Sequence, residues 1–315
     1  MTHTHTHEQT SRHVGEEMVT LSYVLITPAH NEDRLIEQTI RSVIAQTVLP
    51  VKWVIVSVGS TDRTDEIVQK YAESMAWIEL VQLPTRKERH FAGKAHAFNV
   101  GCEKVRDLNY DVIGNLDADV TFEKGYFEYL LGEMAAQPEV GCAGTHYTEG
   151  TFHSFRDSGA SIEHVNGQCQ MFRRKCLEEI GGYVPSRSGG VDWIAVTTAR
   201  MKGWKTYSFG DKTFAHHRLM GTGGGGNFYT SRFHYGKKDY FLGGSPIWQL
   251  FRASFQALRR PLFIGGLLLL AGYCWAFLTR EERPVSKELM KFHRREQMRR
   301  LRGLLTFRGR SAKRT

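Results

Sequence analysis

The first half of the chain alternates short, unbroken apolar runs with longer amphipathic ones. YVLIT (23–27), WVIVSV (53–58), WIELVQL (77–83) and DVIGNL (111–116) place apolar residues at successive positions, with little of the alternation of a half-exposed strand. Such runs suit strands covered on both faces. Between them, helices are expected from about Glu32 to Gln46, from the GSTD turn through Ala72, and from about Ala95 to Val105. Asn31 is placed to cap the first, and Asp62 and Asp65 stand near the positive end of the second. Buried strands separated by helices predict an α/β fold with a mostly parallel sheet flanked by helices.

The C-terminal third reads differently. PLFIGGLLLLAGYCWAFL (261–278) runs eighteen residues without a charge, just the length that crosses ~30 Å of hydrocarbon. The preceding IWQLFRASFQALRR mixes aromatics with arginines, as a helix at a membrane interface does. The formal charge of +9 sits entirely in residues 287–315, which hold eleven Lys or Arg against two Glu, while the remainder is neutral. Because the basicity belongs to a tail without interleaved aromatics, no nucleic-acid partner is expected. Five scattered cysteines without C-x-x-C spacing predict reduced thiols and neither a disulfide framework nor a zinc site. The N-terminus carries no apolar stretch, so no secretory signal is expected there, and residues 1–20 are expected to be a disordered tail.

Candidate chemistry gathers where the strands end. In NLDADV (115–120) two acids, Asp117 and Asp119, stand one residue apart just beyond a buried strand. Like charges that close repel unless a cation lies between them. Residues at i and i+2 of extended backbone point the same way, and Mg²⁺ or Mn²⁺ characteristically takes one or two carboxylates plus the phosphates of a substrate. His30–Asn31–Glu32 and Val58–Gly59–Ser60 also follow strands directly, and ligands of such sheets bind beyond the carboxyl ends of the strands. The acids are therefore expected to hold a divalent ion that holds a diphosphate. Neither a G-x-x-x-x-G-K-[ST] loop nor a G-x-G-x-x-G after the first strand offers another phosphate site. GTGGGGN (221–227) reads equally as a linker or as a lid.

PAHNE (28–32), VGSTDRT (58–64), LDADV (116–120) and GGVDWIAVTTARMKGW (189–204), in this order, resemble the family 2 glycosyltransferases of GT-A (Rossmann-like) fold, which invert the anomeric centre of a nucleotide sugar. The likeness covers roughly residues 21 to 220. It implies that Pro28, Ala29, Asn31 and Glu32 line the nucleotide pocket. Asp117 and Asp119 would be the Asp-x-Asp pair, with Asp119 the more direct ligand of Mg²⁺ or Mn²⁺. The family's Glu-Asp motif falls on Val191–Asp192, so Asp192 alone is retained as the catalytic base. A histidine after that motif often completes the metal site, and both His216 and His217 stand there. Where the family usually has Asp residues before GSTD, touching the nucleotide base, this chain has Ser57 and Val58.

An inverting displacement needs a single base, here Asp192, while the metal with Lys94 and Arg218 would neutralise the departing diphosphate. The implied division is a GT-A catalytic domain over 21–235, membrane-associated helices over 236–280 and a basic tail over 281–315. Nucleotide sugars and a basic tail both belong on the cytoplasmic side. A single crossing would separate them, so a re-entrant or interfacial segment is expected, bent near Pro261 or Gly265–Gly266, with the tail on anionic headgroups. This location implies a lipid-linked or polyprenyl acceptor, as in cell-envelope or extracellular polysaccharide assembly. No Q-x-x-R-W signature of processive synthases is present, so one sugar per encounter is expected. The alternative is a catalytically degenerate relative that binds donor or lipid as a membrane scaffold, for which Val58 and Val191 speak.

Overall fold

The computed structural model describes residues 21–84, 92–158, 161–186, 189–218, 228–258 and 262–311. The expected N-terminal tail, most of the basic loop after residue 84 and the GTGGGGN stretch lie outside these. The chain begins β1 (Tyr23–Ala29), α1 (Ile36–Ile44), β2 (Lys52–Val58), α2 (Thr64–Ser74), β3 (Ile78–Leu83), α3 (Ala92–Lys104) and β4 (Val112–Leu116). It continues with β5 (Val120–Phe122), α4 (Tyr126–Ala136), β6 (Val140–Glu149), β7 (Phe152–His153), α5 (Ser154–Ser158), β8 (Cys169–Arg173) and α6 (Arg174–Ile180). After α7 (Val191–Met201) and β9 (Lys205–His216), the described residues continue with α8 (Phe228–Phe241), α9 (Pro246–Ala257), α10 (Ile264–Leu278) and α11 (Lys287–Ser311).

The four apolar runs are strands, and β3, β2, β1 and β4 lie side by side in parallel. Alternation along each strand feeds two cores. Tyr23, Leu25, Trp53 and Ile55 face the side of α1 and α4, while Val24, Ile26, Val54 and Val56 face that of α3, α6 and α7. Period-two side-chain direction with both faces covered is the reason these runs are mostly apolar, with Thr27, Ser57 and Asn115 themselves buried.

The second half of the sheet is mixed. β8 is antiparallel to β4 and to β6, β9 is parallel to β6, and β5 is antiparallel to β9. A mostly parallel sheet was the expectation, and it holds for the first four strands. β6 and β8 are also buried on both faces, so their composition is that of a parallel strand and hides their direction. A second difference concerns the start of α1. Asn31 does not cap it: its backbone is left-handed (φ 54°), and its Oδ1 accepts the Thr61 N–H at 2.8 Å. The helix begins four residues after Glu32, whose carbonyl accepts the N–H of Leu35 and of Ile36.

α8, α9 and α10 pack closely through small residues. A Cβ at Gly236 would lie 2.0 Å from the Leu269 carbonyl oxygen, and one at Gly272 would lie 2.0 Å from that of Phe233. α10 thus spends one face on its neighbours and turns Leu267, Trp275 and Leu278 to solvent, the last 75% exposed. Its fifteen residues rise about 22 Å. No helix among the described residues is long and apolar enough to cross a membrane. α11 lies against α7, through the Arg200–Glu296 ion pair and the Trp193–His293 ring contact.

Candidate functional site

The loop after β1 and the loop after β2 are knitted into one wall. The His30 ring meets the Val58 carbonyl at 2.7 Å, the Asn31 N–H donates to Ser60 Oγ, and the Glu32 N–H donates to Thr64 Oγ1 at 2.7 Å. Ser57 is fully buried and its hydroxyl donates to Ser60 Oγ at 2.8 Å. Pro28 and Ala29 end β1 opposite Val56 and Ser57. The pocket residues implied by the resemblance therefore share one ridge at the carboxyl edge of the sheet. The two that replace aspartates, Ser57 and Val58, are already engaged, through the hydroxyl of one and the carbonyl of the other.

The two acids of NLDADV diverge in their partners. Asp117 follows β4, its N–H donates to the Gln168 carbonyl, and its carboxylate pairs with Lys94 Nζ at 2.5 Å. Lys94 also donates to the Gly167 carbonyl at 3.2 Å, which accepts the Asn115 side-chain amide at 2.9 Å. Burial would lower the Lys94 pKa, but Asp117, Asp192 and Asp119 outweigh it and raise it. Burial raises Asp117, which Lys94 only partly offsets. In the protein alone this lysine is the cation beside Asp117.

Asp119 faces the end of β9. Pairing of Val120 with His216 brings the imidazole beside it, with Nε2 3.6 Å from Asp119 Oδ1. Arg218 Nε lies 3.5 Å from Oδ2, and the same guanidinium pairs with Glu32. Burial pushes Asp119 up, yet His216, Arg218 and Lys94 hold it below the ordinary carboxylate range. Burial pushes Glu32 up to about 7, with Arg218 opposing and Asp119 and Asp117 adding to the rise. Of the two histidines, His216 alone faces Asp119. His217 is exposed, and its Nε2 meets Thr121 Oγ1 at 2.8 Å.

Among the described residues no three His, Cys, Asp or Glu side chains converge as a ready-made metal site. What they offer is smaller. Asp119 Oδ1 is buried without a hydrogen-bond partner among the described residues, and an imidazole nitrogen stands next to it. A divalent cation completed by substrate phosphates needs no more protein than this, so the residues present fit Mg²⁺ or Mn²⁺.

Asp192 opens α7 behind Gly190, whose φ of 76° turns the chain into the helix. It is not the N-cap; that place is Gly190's. Its carboxylate rests against the backbone of Gly167, where a Cβ would meet Oδ2 at 2.3 Å. Burial alone would raise its pKa, but Lys238, Lys94 and His164 hold it below the usual range, so it is ionised at neutral pH. Asn115, Gly167, Glu149, His164 and Lys238 thus stand around the candidate residues, and no motif announced them. Asn115 was within reach, two residues before Asp117. Glu149 meets His216 only because Thr148 pairs with Ala215, a register invisible in sequence.

A curled mixed sheet flanked by helices, with an Asp-x-Asp pair beyond its fourth strand, is the GT-A fold. Among solved structures the chain is similar to a mannosyltransferase from Pyrobaculum calidifontis in complex with GDP-mannose and Mn²⁺, with TM-score 0.59 and 18% identity over 83% of this chain and 88% of that one. It is also similar to Staphylococcus aureus TarS (residues 1–349) with UDP-GlcNAc, with TM-score 0.52 and 15% identity over 82% and 73% of the two chains. Residues 24–189 match the family described as glycosyl transferase family 2, and the chain belongs to that family. A curated relative, the 4,4'-diaponeurosporenoate glycosyltransferase of Staphylococcus aureus, is 25% identical over 199 residues, which are 56% of this chain and 51% of the relative. The chain spans about half the length of the curated relatives it matches.

Proposed function

We propose that this chain is a metal-dependent, inverting glycosyltransferase of hexosyltransferase type, moving a sugar from a nucleotide-sugar donor to a lipid-linked or polyprenyl acceptor at the cytoplasmic face of the cell membrane, in cell-envelope or extracellular polysaccharide assembly. The observation that carries the reading is Asp119: a buried carboxylate oxygen without a hydrogen bond among the described residues, beside His216, on the edge that also holds Asp192 and Lys94.

The ionised Asp192 takes the proton of an acceptor hydroxyl as that oxygen forms its bond to the anomeric carbon. The bond from that carbon to the diphosphate breaks, its electron pair leaves with the nucleoside diphosphate, and the configuration inverts. Lys94, donating to the Gly167 carbonyl, and Arg218, on Glu32, are the chain's own cations beside the departing charge. Asp119 and His216 would hold Mg²⁺ or Mn²⁺, which when bound neutralises charge on the diphosphate.

Support for a lipid acceptor comes from position and from the relative named for 4,4'-diaponeurosporenoate. α9 and α10 expose Ile247, Leu250, Leu258, Leu267, Trp275 and Leu278, more apolar surface than a water-facing helix pair carries without a partner. Lys287, Lys291, Arg295 and Arg299 recur every fourth residue on the exposed face of α11. Exposed apolar residues on two helices and a basic stripe on a third fit attachment to the surface of an anionic membrane. Val58 and Val191, where the family pattern has acids, favour the second reading, a donor- or lipid-binding scaffold without turnover.

The test is incubation of purified protein with UDP-, GDP- and dTDP-sugars, Mn²⁺ or Mg²⁺ and native lipid extract, reading nucleoside diphosphate release. Release from one donor, lost in Asp119→Ala and Asp192→Asn, supports the enzyme. Metal-dependent donor binding with no release from any donor supports the scaffold and rejects the enzyme.

A further inference from the structure

We propose that Glu149 is a positioning residue of the metal site: its carboxylate accepts the Nδ1–H of His216 and so presents a bare Nε2 to the cation that Asp119 would hold. The inference rests on the metal-dependent reading above. Glu149 Oε1 lies 2.6 Å from His216 Nδ1, and both side chains are more than nine-tenths buried. A carboxylate that close to a ring nitrogen accepts its proton, so in the neutral imidazole Nε2 carries the lone pair. That nitrogen is the one 3.6 Å from Asp119 Oδ1, the oxygen without a hydrogen bond among the described residues. The Tyr147 ring meets the imidazole edge-on at 5.8 Å and limits its rotation.

A purely structural role explains these contacts poorly. β6 and β9 are already joined by backbone pairing from Val140 to Thr148, which needs no ion pair at its end. Two buried carboxylates, Glu149 and Asp119, flank one imidazole. Burying charge is costly unless it is well matched: Arg218 faces Asp119 Oδ2 at 3.5 Å, and a cation between Oδ1 and Nε2 would match the other oxygen. Metal-bound histidines generally give their second nitrogen to a carboxylate, and loss of that partner weakens metal affinity about 10–100-fold.

The experiment is a Mn²⁺ titration of the full chain, alone and with UDP or GDP, followed by the electron paramagnetic resonance of free Mn²⁺ against a protein-free control. Wild type is set beside Glu149→Gln, Glu149→Asp, Asp119→Ala and His217→Ala, and each protein's fold is checked by thermal melting. Glu149→Gln keeps an acceptor but loses the charge; Glu149→Asp keeps the charge but withdraws it from the ring. Weakening of at least about tenfold in a folded Glu149 variant, with His217→Ala unchanged, is the expected result. Binding in the Glu149 variants within twofold of wild type, while Asp119→Ala abolishes it, overturns the role of Glu149 and leaves the metal reading standing. No protein-dependent Mn²⁺ binding by wild type, with or without nucleotide, overturns both.

Discussion

Arg200 on α7 and Glu296 on α11 form a two-pronged ion pair, Nε to Oε1 at 2.8 Å and Nη2 to Oε2 at 3.1 Å, with side chains only 12% and 8% exposed. Arg200 also donates to the Glu163 carbonyl and to Thr206 Oγ1, so the guanidinium is held from several sides. This pair fastens the basic C-terminal helix to the helix that begins with Asp192. Glu296→Ala leaves a buried guanidinium without its counter-charge and is expected to destabilise by about 3–5 kcal/mol in denaturant unfolding. The double variant Arg200→Met/Glu296→Leu, which removes both charges, should recover most of that loss. A double variant as unstable as the single one would show that packing of α11, and not the uncompensated charge, sets the cost.

One turn before Glu296 on α11, His293 packs edge-on against Trp193, the neighbour of Asp192, with centroids 4.4 Å apart. Gln297 fixes its protonation. The Gln297 carbonyl oxygen accepts the Ser245 N–H at 2.7 Å, so its amide nitrogen must donate to His293 Nε2 at 2.8 Å. The ring is neutral, with a buried Nδ1 that has no partner among the described residues. Burial first, then Arg200, Arg300 and Arg294, push its pKa down to about 3. The unfolded chain binds the proton near pH 6.5 and the folded one does not until about pH 3. The stability His293 contributes is therefore present above about pH 6.5 and is lost as pH falls toward 3, by at most about 1.4 kcal/mol per pH unit. Urea midpoints of wild type and His293→Gln at pH 7 and pH 5 test this, because the difference between the two proteins isolates the histidine. A His293→Gln variant that loses as much stability as wild type between these values contradicts it.

Lys94 and Asp117 are a second, partly buried pair, and here structure and chemistry can be separated. Lys94→Met strands the Asp117 carboxylate, so melting should fall. Lys94→Met/Asp117→Asn has no stranded charge and should regain stability. Neither variant restores a cation beside the departing diphosphate, and both should lose about 10²–10³ in turnover, the usual cost of removing one preorganised charge-stabilising donor. Turnover that recovers along with stability in the double variant would reduce Lys94 to a structural counter-ion.

What could be read from the sequence, and what could not, follows from range. YVLIT and WVIVSV are legible as strands because burial on both faces keeps nearly every position apolar. Asp117, Asp119 and Asp192 stand out as candidates because each sits inside its own short motif. The choice between His216 and His217 is not legible: adjacent residues of a strand point to opposite faces, and only the pairing of Val120 with His216 says which face meets Asp119. Glu149 is 67 residues from its histidine, and no local pattern connects them. Ser57 illustrates the converse. Its hydroxyl was free to be a substitute for the missing aspartate on paper, but in the fold it is spent on Ser60, three residues away.

Gly167 gives the sharpest test of Asp192. The residue touches both halves of the site: its carbonyl accepts from Lys94 and Asn115, and its Cα faces the Asp192 carboxylate. A methyl group there would stand 2.3 Å from Asp192 Oδ2 and 2.8 Å from its Cβ, closer than any real contact. Its φ is not left-handed, so alanine strains no backbone, and the clash must be relieved by moving the carboxylate. Gly167→Ala is therefore expected to keep its melting temperature within a few degrees and its donor KM, while turnover falls about 10²-fold, the usual effect of a misplacement near 1 Å. Pre-steady-state release of nucleoside diphosphate with saturating acceptor separates the two parameters. Full turnover in Gly167→Ala would mean that the carboxylate works from another position, or that another group takes the acceptor's proton.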